Sequence, residues 1–437
     1  VRGPSTRRRR EVRELISGRL ARIERTLSLD GDRLLADHLF VSAEGVKPAA
    51  ERLPVVPLAL SLSVAAEEAG RLAPGRRLAT AGEVRASRWI QPSSDGRVRL
   101  ICEATAERTG GSPIRVTLTE AGRREPSLSA SLSFADPGAA PGAPVGLPEL
   151  VGARRSRLDA QAIYRERLFH GPSLRPIASP PWLAENGADG ELLAPRTGRP
   201  GLDPVTLDGV AQLLGLWGTE RCLDLFPVGL DLLRLNARSP RQDRLLRARV
   251  VVTRSETRLV EADAMVWDGS AVWLELRGLR MGVSIVSERV LDARRQPGRF
   301  LLGQRLRAPG LPGDAVCVVV STEDLGGSLD IVAHTWLTAG ELDEMRRQGT
   351  AARSWLAARV AAKDAARCWS AGGTGDMPHP ASFSIGEHGF PVGLSGRVPA
   401  VALSMAGRRQ QAVARERPVS DGPSPPQAVS GTHPSSV

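Results

Sequence analysis

Two long, mostly apolar stretches, residues 57–72 and 207–221, are each followed by a run of short strand-like segments, and this repeated order limits the chain to few architectures. A helix that is apolar around most of its circumference must be buried on most sides. The first stretch reads as such a helix, with Pro57 tolerated in its first turn and Pro74-Gly75 closing it. Strand candidates follow at 84–90, 98–106, 114–119 and 128–134, separated by Gly, Pro, Ser and Asp clusters. The alternation from Ser127 to Phe134 has period two, as expected of a sheet with one face on a core. The second stretch, with Thr206 as its N-cap, precedes strand candidates at 229–235, 245–253, 258–267 and 271–278. The expected class is α+β: one helix wrapped by an antiparallel sheet, occurring twice.

At roughly 100 to 200 residues per domain, 437 residues imply two or three units. The expected divisions are a linker at 1–24, repeats at 25–145 and 146–285, a linker at 286–314, a smaller α+β domain at 315–410 and a disordered tail at 411–437. A net charge of +11 would ordinarily raise nucleic acid as a partner, but Lys47 and Lys363 are the only lysines. Basicity carried by arginine, alongside abundant Ala, Gly and Pro, reads as a bias of the whole chain, so no nucleic-acid partner is expected. Arg7 to Arg10 read as a solvated linker end, and the Pro- and Gly-rich 136–148 as a linker. Cys102, Cys222, Cys317 and Cys368 show no metal or disulfide spacing and read as ordinary buried thiols in a reducing compartment. No export signal or eighteen-residue apolar span is present, so the expectation is a cytoplasmic protein without a membrane partner. The start at Val1 would suit an interior piece of a longer polypeptide.

Two polar residues stand beside the apolar helices: His38, in Leu34-Leu-Ala-Asp-His38-Leu-Phe, and Asp208, in Thr206-Leu-Asp208-Gly-Val-Ala-Gln212. Imidazole titrates near neutral pH and suits a general base; a carboxyl group can donate a proton if burial raises its pKa. Either residue alone has an ordinary structural reading, and the pair at matching places in two repeats is the informative feature.

Asp37-His38-Leu-Phe, Leu53-Pro-Val-Val-Pro57, Tyr164-Arg-Glu-Arg-Leu-Phe-His170-Gly171-Pro-Ser-Leu-Arg175 and Leu207-Asp208-Gly-Val-Ala-Gln212 occur in that order. Over about residues 25–285 the chain thereby resembles the dehydratase domain of polyketide synthases, with the flavour of the iterative enediyne and polyunsaturated-fatty-acid type. The resemblance implies a double hotdog fold and syn-type removal of water from 3-hydroxyacyl groups. It implies that His38 removes the proton alpha to the thioester and Asp208 protonates the departing hydroxyl. Pro57, Gln212, His170 and Gly171 would line the substrate, with Gln212 orienting Asp208 and the helix start near Pro57 supplying N–H donors to the thioester carbonyl. The implied partners are an acyl carrier protein and other synthase domains, with a homodimer possible and no metal or redox cofactor used in dehydration. Two departures stand out: Pro57 comes nineteen positions after His38, leaving 44–52 as an apparent insertion, and His170-Gly171-Pro172 replaces a usual Tyr-Gly-Pro. A non-catalytic hotdog scaffold or docking module is the alternative. A hotdog thioesterase is a third reading, though it would not need His38 in the opposite repeat.

Beyond residue 284 an arginine-rich connection leads to a strand at 315–321 and a strongly helical segment at 337–369. The run from Arg353 through Arg359, Lys363 and Asp364 to Arg367 is similar to the helix of phosphopantetheinyl transferases that ends in a Lys-Glu pair, and Pro399 to Ala406 to their Ser-His-Ser strand. That resemblance implies Asp364 as a magnesium ligand and Lys363 and Arg359 as coenzyme A contacts, with magnesium and coenzyme A relevant only if the module is active. The family's Gly-x-Asp-x-Glu strand is missing and Asp364 replaces Glu, so the expectation is a vestigial module.

Overall fold

A computed structural model describes residues 11–16, 19–106, 112–136, 138, 144–194, 202–236, 243–306, 315–327, 329–372, 376–386, 389–394, 399–406 and 409–415. Arg7 to Arg10, most of the residues at 137–143 and the tail beyond 415 lie outside the described residues.

One antiparallel sheet of thirteen strands wraps two helices. In chain order the strands are β1 (Glu11–Ile16), β2 (Leu20–Ser28), β3 (Arg77–Ala86), β4 (Arg97–Ala106), β5 (Ile114–Glu120), β6 (Leu128–Ala135), β7 (Arg154–Arg155), β8 (Trp182–Ala184), β9 (Gly187–Leu193), β10 (Leu223–Leu235), β11 (Leu245–Ser255), β12 (Leu259–Asp268) and β13 (Ala271–Ile285). Their spatial order is β1-β2-β4-β5-β6-β3-β10-β13-β12-β11-β9-β8-β7. The repeats join where β3 pairs with β10, with Ala81 opposite Leu233 and Arg85 opposite Gly229. Two short helices, α1 (Arg33–Ala36) and α3 (Ala160–Glu166), flank the two wrapped ones, α2 (Leu58–Ala69) and α4 (Pro204–Thr219). Within α2 only Leu58 and Glu67 escape full burial, as the apolar sequence requires. Both helices share one core with the sheet's inner face: Leu60, Leu62 and Val64 meet Leu100, Val116 and Leu118, and Val210, Leu213 and Leu214 meet Leu192, Leu233 and Val250. This is a double hotdog.

The helix α4 begins earlier than the sequence reading has it. Asp203, not Thr206, is the N-cap: its carboxylate accepts from Val205 N and Thr206 N, and Pro204 follows at the first helical position. Strands β1, β2, β7, β8 and β9 add to the eight expected in this sheet. The expected linker at 286–314 contains a packed helix, α5 (Glu288–Arg295), capped by Ser287, and the expected tail begins inside a strand.

The remaining residues build a smaller unit on a second core. A four-stranded sheet in the order β14-β15-β19-β18 (Gln304–Leu306, Val316–Ser321, Arg409–Arg415, Ala400–Ala406) packs on three helices: α6 (Leu329–Trp336), α7 (Ala339–Arg347) and α8 (Ala352–Ser370). A two-stranded ribbon, β16 (Ser384–Ile385) with β17 (Pro391–Val392), completes it. The apparent insertion at 44–52 is where this unit docks. Lys47 Nζ donates to His334 O (2.7 Å), His334 Nδ1 meets Glu51 O (3.0 Å), and Ile331 joins Phe40, Val41 and Val55 in a small apolar cluster. No described helix is long and apolar enough to cross a membrane. Cys102 and Cys317 are buried free thiols, whereas Cys222 and Cys368 are only half-buried.

Candidate active site

His38 follows α1 at the start of a short extended run. Leu39 bridges to Pro54, and Val55 N donates to His38 O (3.2 Å), so the chain returns across the insertion and the nineteen-residue spacing to Pro57 costs no proximity. His38 Nδ1 lies 2.7 Å from Val55 O. A carbonyl only accepts, so Nδ1 carries the hydrogen and Nε2 is left with its lone pair. Pro57 caps α2 and lines the cavity, with the unpaired first-turn N–H groups of that helix behind it.

Asp37 ties the repeats together. Its main-chain oxygen accepts from Gly171 N (2.7 Å) and its carboxylate from Ser173 N (2.7 Å). The clasp brings His170 against His38, ring centroids 5.3 Å apart. Gly171 therefore does not line the cavity as the resemblance implies; its missing side chain makes room for the Asp37 carboxylate. From α4, Asp208 points to the same place, its Oδ2 3.2 Å from His170 Nε2. His38, His170 and Asp208 are all buried, and each presents a nitrogen or oxygen within 4.8 Å of the others. A metal ion could be accommodated between them, in competition with a substrate.

Gln212, one turn after Asp208, is held by three partners. Its Oε1 accepts from Tyr164 Oη (2.8 Å), and its Nε2 donates to Leu174 O (2.9 Å) and to Asp208 Oδ2 (2.7 Å). Tyr164 Oη in turn accepts from Ile177 N (3.0 Å), and burial pushes the phenol's pKa up, so it stays a donor. Gln212 orients Asp208, as the spacing implies. Tyr164, the chain's one tyrosine, fixes Gln212, a role its position in the sequence did not disclose.

Burial, reinforced by His170, pushes the His38 imidazole down to about 4, against the opposing pull of Asp208 and the Val55 carbonyl. His38 is therefore neutral at physiological pH. Burial alone would push the Asp208 carboxyl up, but the charge and hydrogen bond of His170 oppose it, with His38 and Gln212 adding to them, and the carboxyl is held below its usual range. That reverses the expectation that burial makes Asp208 a neutral acid.

The cavity holds about 100 Å³ and is lined by His38, His170, Asp208 and Gln212 with Val56, Leu58 and Ala211. An aromatic cluster of Phe40, Trp89, Phe169 and Phe226, ring centroids 4.3 to 5.7 Å apart, forms one wall. Arg295 of α5 lies over Phe169 at 5.1 Å, so a residue beyond the second repeat's expected end also shapes the cavity. Phe40 and Phe169 fall inside the quoted motifs and Trp89 reads from sequence as core, but none of the five was assigned to the site, because isolated aromatic and arginine residues carry no periodic signal.

The residues likened to a transferase site are structural. Lys363 is fully buried on α8, and its Nζ donates to Trp336 O (2.8 Å), Pro380 O (3.0 Å) and Phe383 O (2.6 Å) and pairs with Glu341 (2.5 Å). Asp364, equally buried, accepts from Gly303 N (2.9 Å), Trp336 Nε1 (2.9 Å) and Arg367 (3.1 Å). Arg359 donates to Ile385 O (2.5 Å) and lies over Trp355. Lys363 and Asp364 have no face open to coenzyme A or magnesium. Both lysines of the chain donate to main-chain carbonyls, a task that suits a compact three-donor ammonium better than a planar guanidinium.

No protein-family model matches the chain, and no curated protein matches it. Among solved structures it is similar to the dehydratase domain from the CurF module of curacin polyketide synthase (TM-score 0.48, 15% identity, covering 63% of this chain and 96% of that one). It is similar also to the dehydratase domain from the CurK module of that synthase (0.48, 18%, 63% and 96%). A third is the dehydratase domain of RzxB from Pseudomonas fluorescens (0.46, 18%, 60% and 94%).

Proposed function

We propose that this chain removes water from 3-hydroxyacyl thioesters presented by an acyl carrier protein, during polyketide or fatty-acid-like biosynthesis. The observation that carries the reading is the meeting of His38 and Asp208, from different repeats, in one buried cavity with His170 between them. An elimination needs a neutral base beside the acidic Cα–H, and His38 offers its Nε2 lone pair there. It needs a proton for the departing hydroxyl, and the Asp208–His170 pair lies beside that base. Groups this close serve one face of a bound chain, which supports syn elimination. Enolate character on the thioester carbonyl would be met by the N–H groups at the start of α2. The apolar lining accepts an acyl chain, and the chemistry asks for no redox cofactor.

The test is direct. The purified chain is incubated with a 3-hydroxyacyl pantetheine thioester, and the enoyl product is followed by absorbance and mass. Turnover that falls on the order of a hundredfold or more in His38→Ala is expected for a positioned base. A chain that binds the thioester and never dehydrates it would be a scaffold instead.

A further inference from the structure

The hydrogen bonds around Asp208 favour an ionised carboxylate. Gln212 cannot turn its amide around, because Tyr164 Oη and Leu174 O fix which end is oxygen and which is nitrogen. Its Nε2 therefore donates to Asp208 Oδ2, and His170 Nε2 approaches the same oxygen at 3.2 Å. Two donors on one oxygen suit an ionised carboxylate best, the state in which the neighbouring His170 also holds Asp208, so the hydrogen between them is assigned to His170. The other ring nitrogen, His170 Nδ1, is buried and has no partner, in a side chain that lines the cavity. The ring is held in place by stacking on Phe169 (4.1 Å between centroids, 21° between planes) and by the clasp from Asp37 to Gly171. A buried ring nitrogen without a partner is costly unless something binds to it.

Resting on the dehydratase reading, we propose that His170 Nδ1–H, oriented by Asp208 through Nε2, is the proton donor to the departing 3-hydroxyl, and that Asp208 is a positioning residue. His38 Nε2 takes the alpha proton, and the C–H electron pair becomes the new carbon–carbon double bond. The Cβ–O bond breaks with its electron pair on oxygen, which takes the Nδ1 proton of His170 and leaves as water. One proton has moved from His170 to His38, and solvent exchange returns it before the next turnover. The Asp208 carboxylate balances one positive charge throughout, first on His170 and then on His38. The two steps also assist each other: a charged His170 suppresses the basicity of His38, and that suppression lifts as His170 gives up its proton.

The experiment pairs two substrates with variants of one position. A 3-hydroxyacyl pantetheine thioester needs a proton on its leaving group, whereas a 3-fluoroacyl thioester does not. His170→Phe keeps the stacking ring, and His170→Asn keeps a donor to Asp208 without a transferable proton; thermal melting shows whether each folds. The expected result is a loss of a hundredfold or more on the hydroxy substrate, with elimination of fluoride within a few-fold of the unaltered chain. His38→Ala should lose both reactions. Near-normal dehydration by a folded His170→Phe or His170→Asn would overturn the assignment and return the acid role to Asp208. Equal losses on both substrates would reduce His170 to a structural role and overturn it too. If the unaltered chain eliminates fluoride but not water, the dehydratase reading itself fails, and this assignment with it.

Discussion

Replacing Lys363 by methionine separates a buried structural cation from a ligand-binding one. In the fold, its ammonium satisfies three main-chain carbonyls and balances Glu341, and it is fully buried. Methionine has a similar length and no donor, so it fills the space and strands these partners. Breaking a buried ion pair by removing one partner costs about 3 to 5 kcal/mol. Each carbonyl left without a donor adds about 1 to 3 kcal/mol, reduced wherever the chain relaxes or water enters. Glu341 keeps part of its support, since Thr338 N (3.0 Å) and Ile385 N (3.2 Å) still donate to it. A loss of about 4 kcal/mol or more is therefore expected, enough to unfold a marginal unit of this size. Urea denaturation followed by tryptophan fluorescence is a suitable assay, because Trp336 carries one of the stranded carbonyls and bonds Asp364 next to Lys363. The double variant Lys363→Met with Glu341→Gln should recover part of the loss, as neutralising the orphaned carboxylate removes its share. A loss below about 1 kcal/mol would refute the reasoning and reopen Lys363 as a residue held for a bound anion.

Acid should weaken the fold through His38, whose pKa is about 4 in the fold against an ordinary 6.5: between those values the unfolded chain binds a proton that the fold refuses, so stability falls as pH falls. The contribution is about 3 kcal/mol, and denaturation of His38→Asn at neutral pH and at about pH 4.5 should show a shallower acid loss than the unaltered chain, while His379, shifted the same way, continues to act in both. Gly171→Ala would drive a methyl group into the Asp37 carboxylate and part the clasp between repeats; turnover should fall more than tenfold with a measurable drop in melting temperature, and unchanged turnover would detach the clasp from the site. Residues 315–410 should transfer no phosphopantetheine from coenzyme A to a carrier protein, because Lys363 and Asp364 are already engaged inside the core; an adduct seen by mass spectrometry and lost in Asp364→Ala would count against this.

Much of the fold was legible because its strongest signals are periodic. Burial around nearly the whole of α2 follows from its near-continuous apolarity, and the inward Leu128, Ala130 and Leu132 of β6 from strict alternation. The strand β9 was not legible, since Gly187, Asp189 and Gly190 within it are turn formers by composition; there the pairing with β11 overrides propensity. The helix α5 was missed because its eight residues are mostly charged, and its burial comes from tertiary partners: Asp224 for Arg294 and Phe169 for Arg295 in the double hotdog, and the smaller unit's core for Val290 and Leu291.

The site was legible by identity and not by role. His38 and Asp208 could be chosen from their places in the two repeats, but the division of labour between them depends on tertiary hydrogen bonds that no spacing encodes. Gln212 donates to Asp208 because Tyr164, forty-eight residues earlier, claims its oxygen. His170 reaches Asp208 because Asp37, far away in the other repeat, holds the turn at Gly171. In the sequence, His170 stands out as a departure from the Tyr-Gly-Pro of the resembled pattern. In the fold it places a second imidazole beside Asp208. An imidazole offers two ring nitrogens, so one can bond the carboxylate while the other is left without a partner at the cavity wall. With that ring beside it, the Asp208 carboxyl is held below its usual range, so the proton donor expected from sequence is the group this site keeps ionised.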